Sequence, residues 1–212
     1  MSFRQQIETL FQGKAFERPL FYKHPGGLRF GLSEGGSHLG QFLTALRKAM
    51  TVCADVFPAG STLTLCVRMH TKSNPFAHRA EIRELRNAGL RIPKIREVWL
   101  ELVNPNDWFE ANEPEWWLNV VFEVPLELLQ NILWCALARD FATIKPNPGC
   151  LLYLFNLHSG LMVWPYDDRG MDVVGPNHEV LAGLYVKHSR WLLEHDRAVM
   201  DADFGRSREN HG

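Results

Sequence analysis

The segment from Ser61 to His70 constrains the fold more than any other part of the chain. Its apolar residues alternate with polar ones: Leu63, Leu65, Val67 and Met69 against Thr62, Thr64 and Arg68. An alternation with period two is typical of a β-strand that buries one face. The chain must therefore supply neighbouring strands and a layer that covers that face.

Segments with apolar residues at helical spacing precede and follow this strand. From Ser37 to Phe57 the pattern predicts a core helix that ends before Pro58. Further helices are predicted over residues 3–12, from Asn74-Pro75 to Gly89, and from Pro125 to about Phe141. One long helix, with Asn177 as its N-cap, is expected to close the chain; its inner stripe is Leu181, Leu184, Tyr185, His188, Trp191, Leu192, His195 and Val199.

Other short apolar runs predict additional strands. They are Pro19–Lys23, Leu28–Leu32, Arg96–Val103, Trp116–Val124, Leu151–Asn156, Leu161–Tyr166 and Met171–Val174. We expect the first two to form a hairpin around the glycines that follow His24. Together these elements predict a single α+β domain over residues 1–204, with a mobile tail at 205–212. Its sheet should be mixed, largely antiparallel, with about six to eight strands and helices packed mainly on one face.

The overall charge and the cysteines narrow the classes of partner. The formal net charge of -1 provides no positive field for nucleic acid or an anionic membrane. The longest apolar run, near residues 128–138, is shorter than the roughly 20 residues of a membrane span. The four cysteines lack any C-x-x-C spacing, which indicates buried thiols in a reducing compartment. We therefore expect a cytoplasmic protein that contacts no membrane.

A basic run in the middle of the chain is the one feature that resembles a nucleic-acid footprint. It comprises Arg79, Arg83, Arg86, Arg91, Lys94 and Arg96. Glu81 and Glu84 are interleaved with these residues, and no stacking aromatics accompany them. The pattern favours a solvated helix face over a nucleic-acid site.

The segment from Tyr166 to Asp172 (YDDRGMD) concentrates three carboxylates, a guanidinium and a phenol. Its spacing favours a hairpin turn in which Arg169 pairs with Asp172. A functional interpretation stays open, because Arg169 could hold a carboxylate or phosphate, or Asp168 and Asp172 could bind a hard cation. Since Arg169 offsets the acidic charge, we expect no metal site and no cofactor.

A second candidate surface is the polar loop between residues 104 and 117. Trp108 and Phe109 lie there among acidic side chains. Exposed aromatic residues in such surroundings are typical of protein-binding surfaces.

Two strings near the C-terminus resemble a bacterial family of uncharacterised proteins, domain of unknown function 3885. They run from Tyr166 to Val174 (YDDRGMDVV) and from Trp191 to Arg197 (WLLEHDR). The segments PLFYK from Pro19, LRF from Leu28 and RDF from Arg139 are also similar to recurrent segments of that family. The resemblance implies a single-domain bacterial cytoplasmic protein with no established activity. It also implies that one unit contains Tyr166, Asp167, Asp168, Arg169, Gly170, Asp172, Trp191, Asp196 and Arg197.

The leading hypothesis is a non-catalytic domain that binds another protein, either to neutralise a toxin or to assemble a complex. It follows from the small size, the near-neutral charge, the loop aromatics and the lack of a recognised catalytic motif. The expected binding residues are Tyr166, Asp168, Arg169, Trp191, Arg197, Trp108 and Phe109. The alternative is a hydrolase or transferase, with or without a metal, that uses Asp167, Asp168 or Asp172 as acid, base or ligand.

Overall fold

The computed structural model describes residues 1–72, 78–103 and 115–205. These residues form seven α-helices: α1 (Phe3–Leu10), α2 (Leu20–Lys23), α3 (His38–Val56), α4 (Arg79–Asn87), α5 (Leu129–Leu137), α6 (His178–Lys187) and α7 (Arg197–Phe204). They also form seven strands: β1 (Leu28–Gly31), β2 (Leu63–Thr71), β3 (Glu97–Leu102), β4 (Trp116–Val124), β5 (Leu151–Asn156), β6 (Leu161–Asp167) and β7 (Gly170–Val174). Short 3-10 turns flank α5 and connect α6 to α7.

All seven strands belong to one sheet, in the order β1-β7-β6-β5-β2-β4-β3. Every pairing between the described strands is antiparallel. Strand β2, which is nine residues long, lies between β4 and β5. The structure thus confirms the α+β class that the sequence predicted.

Alternation along the central strands divides the core into two layers. On β5, Leu152 and Leu154 face the larger cluster, which contains the apolar sides of α3, α5 and α6. Tyr153 and Phe155 face the opposite side, which is covered by α1 and by residues 11–20. The helices therefore pack mainly on one face, as expected.

Side-chain hydrogen bonds cap the starts of three helices, and one of them, the Asn177 cap, was predicted from the sequence. Ser2 and Gln5 form a capping box at the start of α1, and the Ser37 hydroxyl accepts from the Gly40 N–H at the start of α3. The Asn177 side chain accepts from the Val180 N–H and caps α6. The predicted start of α4 at Asn74-Pro75 lies outside the described residues.

The predicted hairpin between Pro19–Lys23 and Leu28–Leu32 is wrong. Residues Leu20–Lys23 form the short helix α2, and β1 pairs with β7 instead. Leu20 and Phe21 are adjacent, and each is buried in a different layer of the core. A helical turn can direct two neighbouring side chains in this way while the Phe21 N–H reaches a carboxylate on β7.

The prediction of one long closing helix is also wrong. The helix ends at Lys187, and two 3-10 turns, Ser189–Trp191 and Glu194–Asp196, precede α7. Between these turns the chain runs beside β1: the Leu193 N–H donates to the Arg29 carbonyl at 2.8 Å, and Leu192 bridges to Phe30. The break therefore covers the outer edge of β1, which would otherwise be exposed.

Among the described ranges, the structure contains no helix with the length and apolarity to span a bilayer. All four cysteines are buried and free, as the lack of C-x-x-C spacing in the sequence indicated.

Candidate functional site

The turn between β6 and β7 is closed by hydrogen bonds to the carboxylate of Asp167. Asp167 Oδ1 accepts from the Arg169 backbone N–H at 2.8 Å, and Asp167 Oδ2 accepts from Arg169 Nε at 2.9 Å. The ring of Tyr166 packs over Gly170 so closely that a Cβ at position 170 would lie 1.8 Å from the phenol oxygen. The predicted turn is present, but its ion pair joins Arg169 to Asp167.

Asp172, the partner that the sequence predicted for Arg169, pairs with Arg29 instead. Arg29 Nε donates to Asp172 Oδ1 at 2.8 Å, and the Phe21 N–H donates to Asp172 Oδ2 at 3.1 Å. Asp172 is fully buried and lies opposite Arg29 in the pairing of β1 with β7. Arg29 and Asp172 occupy directly paired positions on β1 and β7, so the guanidinium reaches that carboxylate, while Asp167 holds Arg169 within the turn.

Arg29 is the centre of a buried ionic network. A second arm of its guanidinium donates to Asp196 Oδ2 at 3.0 Å, and the Tyr22 hydroxyl donates to Asp196 Oδ1 at 2.6 Å. The network joins β1, β7, α2 and the turn before α7. Asp196 therefore belongs with the hairpin, as the family resemblance implied.

Burial and ion pairing shift the pKa values of Arg29 and Asp172 in opposite directions. Burial by itself would lower the pKa of the Arg29 guanidinium, but its hydrogen bonds to Asp172 and Asp196 raise that pKa above its ordinary value. Burial raises the pKa of the Asp172 carboxyl, while Arg29 and the Phe21 N–H oppose that rise. Three donated hydrogen bonds match an ionised carboxylate, so removal of either partner should be costly.

Beside this network is a cavity of about 300 Å³, which we call the arginine pocket. Its lining residues are Arg18, Pro19, Arg29, Arg139, Trp164, Tyr166, Asp167 and Arg169. Four arginines and one aspartate are thus among its lining residues. The chain brings them together from the segment before α2, from β1, from the turn after α5, and from the β6–β7 hairpin.

The arginines differ in how well their charge is neutralised. Arg29 is held by buried carboxylates, and Arg169 by Asp167. Arg139 has a weaker contact, 3.4 Å from Asp140. No carboxylate pairs with Arg18 in the described part of the chain, and its guanidinium lies over the Trp117 ring at 5.5 Å. The pocket therefore has an excess of positive charge beside Arg18 and Arg139.

Aromatic side chains form one wall of the arginine pocket. The ring of Trp164 stacks on Tyr153 with centroids 5.4 Å apart, and Tyr166 tilts against Trp164 at 5.6 Å. The buried indole N–H of Trp164 has no acceptor within the described ranges. Burial and the nearby Asp172 charge raise the pKa of the Tyr166 phenol, which keeps it a neutral donor. The wall thus combines apolar surface with hydrogen-bond donors.

Asp168 is the least engaged of the three carboxylates proposed for catalysis. It is 8% exposed, and its side chain makes no ion pair with a described residue. Burial raises the pKa of its carboxyl, the adjacent Asp167 adds to that shift, and Arg169 opposes it. Asp167 and Asp172 are instead held by Arg169 and Arg29.

This pKa shift predicts a pH-dependent effect of Asp168→Asn on stability. The folded chain binds the Asp168 proton more tightly than the unfolded chain, so this group lowers stability as the pH rises from 3.8 through the raised value. We expect Asp168→Asn to unfold at a higher temperature than the parent at neutral pH, with no gain at about pH 3. Thermal scans at both pH values measure this. The matched change at exposed Asp203 should give no gain, and an equal gain there would contradict the assignment.

Three predicted binding residues do not line the arginine pocket: Asp168, which is beside Asp167 in the turn, Trp191 and Arg197. Trp191 stacks on His188 at 5.4 Å and borders a separate surface cavity with Arg47 and Lys48. Arg197 donates to the Ser189 carbonyl at 2.7 Å and pairs with Asp201, so its contacts are within the C-terminal segment. Trp108 and Phe109 lie outside the described residues.

Four residues that line the pocket were not predicted from the sequence: Arg18, Arg29, Arg139 and Trp164. The sequence signal that could have identified Arg29 is its position between two apolar residues, Leu28 and Phe30, which are both buried. Such alternation normally indicates a solvent-facing side chain, and only the covered second face of the sheet makes it a buried one. In the described part of the chain, no three His, Cys, Asp or Glu side chains are grouped to hold a metal ion.

Comparison with known proteins places the chain in a family without identifying an activity. A family model described as a domain of unknown function (DUF3885) matches residues 3–196, which include the whole arginine pocket. Searches of curated proteins and of solved structures gave no match.

Proposed function

We propose a function from the site itself, because the chain belongs to the DUF3885 family, whose description names no activity. The protein is a non-catalytic binding domain, and its arginine pocket holds an acidic segment of another protein. The observation that carries this proposal is a cavity lined by four arginines and one aspartate.

The charge distribution supports an acidic ligand. Arg18 and Arg139 retain the most unneutralised charge, and Arg169 is 74% exposed at the side chain, so it can turn toward a ligand. Planar guanidinium groups bind carboxylates through paired, charge-assisted hydrogen bonds. The near-neutral chain offers no general attraction for polyanions, so the attraction is local to this pocket.

The size and the walls of the pocket favour a peptide side chain. Its volume of about 300 Å³ is at the lower end of the range for small-molecule sites, roughly 300–1,000 Å³. Trp164, Tyr166 and Pro19 offer apolar contact beside the charges. An acidic side chain with its neighbouring backbone matches this combination. A domain that neutralises a toxin or assembles a complex needs such a surface and no turnover.

We predict that Arg139→Gln/Arg169→Gln weakens binding of a labelled polyglutamate peptide by about a hundredfold or more, since two charge-assisted contacts are lost and each costs roughly 1.5–3 kcal/mol. Fluorescence anisotropy measures this, and added salt should weaken parent binding as well. An uncharged polyglutamine peptide is the ligand control.

The matched protein control is Arg83→Gln, which removes an exposed arginine from α4. Arg83→Gln should bind polyglutamate as the parent does. Equal binding by the parent and the double variant, or equal loss in Arg83→Gln, would contradict the proposal.

A second candidate function rests on Asp168. A carboxyl with a raised pKa beside an exposed arginine is an arrangement that general acids use in hydrolases and transferases. This alternative requires turnover of an anionic ester that Asp168→Asn abolishes and that Asp203→Asn leaves intact. If the purified parent protein turns over no member of a panel of phosphate and carboxylate esters, or if Asp168→Asn retains the parent rate, the alternative that rests on Asp168 is wrong.

A cytoplasmic location is part of the same proposal. Four buried, unpaired thiols support it, because chains in oxidising compartments more often use cysteines in disulfides.

A further inference from the structure

The two edge strands of the sheet, β1 and β3, differ in how their outer sides are covered. The outer edge of β1 is covered by Leu192 and Leu193. At the other end, β3 pairs with β4 on one side, and no described residue pairs with its outer side. Native proteins normally cover, charge or bend a free edge, because its unpaired backbone groups bind other strands.

The backbone groups on the outer side of β3 can be assigned from one hydrogen bond. The Val103 N–H donates to the Glu115 carbonyl at 2.9 Å, so Val103 directs its backbone toward β4. In an antiparallel pair successive residues alternate in this direction. Val98, Leu100 and Leu102 therefore direct their N–H and C=O groups outward, where another strand could pair.

The same three residues have exposed apolar side chains. Val98 is 49% exposed, Leu100 is 48% exposed and Leu102 is 54% exposed. Their neighbours Glu97, Trp99 and Glu101 are half-buried on the opposite face. This edge of β3, which no residue in the described ranges pairs, is thus apolar on one face and has no lysine or proline within the strand to discourage pairing.

We infer that β3 pairs with β3 of a second copy of this chain, antiparallel, about a two-fold axis at Leu100. Leu100 then lies opposite its own counterpart, and Val98 lies opposite Leu102 of the other copy. Each of these pairs exchanges N–H···O=C bonds in both directions. The two sheets become continuous, and the exposed apolar side chains cover one another.

The charge pattern of the strand supports a second copy as the occupant. Pairing about Leu100 places Glu97 opposite Val103 and Glu101 opposite Trp99. Pairing about Trp99 would place Glu97 opposite Glu101, and pairing about Glu101 would place that carboxylate opposite itself. Arg68 holds the Glu101 carboxylate within its own chain at 2.8 Å, which weakens this repulsion. A carboxylate opposite an apolar side chain still avoids the repulsion altogether, so the central register is the one in which the strand matches itself.

The inferred dimer does not depend on the proposed function, but it would give one assembly two arginine pockets. The arginine pocket lies at the β1-β7-β6 end of the sheet, away from β3. Pairing through β3 leaves both pockets free at the outer ends of the dimer. A partner with two acidic segments would then bind with avidity.

The first test is the mass of the full chain in solution by sedimentation velocity. One short strand pair buries a small area, so we expect a reversible dimer that dominates at about 100 µM and dissociates on dilution. Leu100→Lys places two ammonium groups opposite each other and should be monomeric. The matched control Val186→Lys, at an exposed site on α6, should dimerise as the parent does.

The second test measures the register by crosslinking. Leu100→Cys should form a disulfide-linked dimer on mild oxidation, whereas Val98→Cys should not, because the two copies of residue 98 lie roughly 14 Å apart. The native thiols should form no crosslink under these conditions, since burial raises the pKa of Cys66 and Cys135 to about 12.

A parent chain that is monomeric throughout, a Leu100→Lys dimer, or equal crosslinking of both cysteine variants would overturn the inference. Peptide binding is measured on monomer and dimer alike, so this failure would be distinct from failure of the proposed function.

Discussion

Replacement of Arg29 by methionine is expected to lower the free energy of unfolding by about 3–5 kcal/mol. The change leaves Asp172 and Asp196 buried at 0% and 3% exposure without the guanidinium that pairs with both. A buried carboxylate without a partner is costly, because it retains neither its water nor its counter-charge. Chemical denaturation of the parent and variant at neutral pH measures the difference.

The matched control is Arg4→Met, which breaks an exposed pair with Glu8 whose side chains are 47% and 51% exposed. Exposed pairs contribute less than about 1 kcal/mol, so this variant should unfold close to the parent. The double change Arg29→Met/Asp172→Leu should recover part of the loss, because one unpaired charge is removed with its partner. Similar losses in Arg29→Met and Arg4→Met would show that the network is not stabilising.

Gly175→Ala is expected to destabilise the chain by about 2–5 kcal/mol. Gly175 directly follows β7 and has φ +153°, and a Cβ there would lie 2.0 Å from the Gly160 carbonyl oxygen. The obstacle is backbone, so a side-chain rotation cannot relieve it. Thermal or chemical unfolding measures the loss, which should also loosen the hairpin that carries Tyr166 and Arg169.

Gly183→Ala provides the comparison for the same chemical change. Gly183 lies within α6, and its added Cβ would meet no atom within 4 Å. Alanine should stabilise this helix by about 0.5–1 kcal/mol, because glycine loses more conformational entropy on folding. If Gly175→Ala were as stable as Gly183→Ala, the close approach of Gly175 to Gly160 would be contradicted.

Elements with long, regular periodicity could be predicted from the sequence alone. The alternation from Leu63 to Met69 and the helical spacing between Ser37 and Phe57 each repeat over several turns or pleats, and both elements are present. The periodic apolar side chains of both elements face the larger layer of the core, so local pattern and tertiary packing agree there. The expectation that β2 buries only one face is wrong, because Cys66 belongs to the smaller layer and Arg68 beside it is 3% exposed.

The elements that were wrong depend on contacts distant in sequence. Residues Leu20–Lys23 form a helix because Leu20 and Phe21 reach both layers of the core. The closing helix is broken because Leu192 and Leu193 cover β1, which lies more than a hundred positions earlier. Neither contact has a signature in the local pattern.

The candidate site could be predicted only in part. The sequence drew attention to the Tyr166–Asp172 segment, and its turn lines the arginine pocket. It assigned Asp172 to the nearest arginine, whereas the partner is Arg29, 143 positions away. The pocket depends on four separate segments of chain, so its positive charge is evident only after folding.

The most direct test of the account is an NMR titration of the full chain with the polyglutamate peptide. The seven tryptophan indole N–H signals and the arginine Nε–H signals are reporters distributed over the whole fold. We predict that the signals of Trp164, Arg18, Arg139 and Arg169 shift with peptide concentration, while that of Arg83 on α4 stays in place. Shifts confined to other sites, or none at saturating peptide, would contradict an acidic-segment site in the arginine pocket.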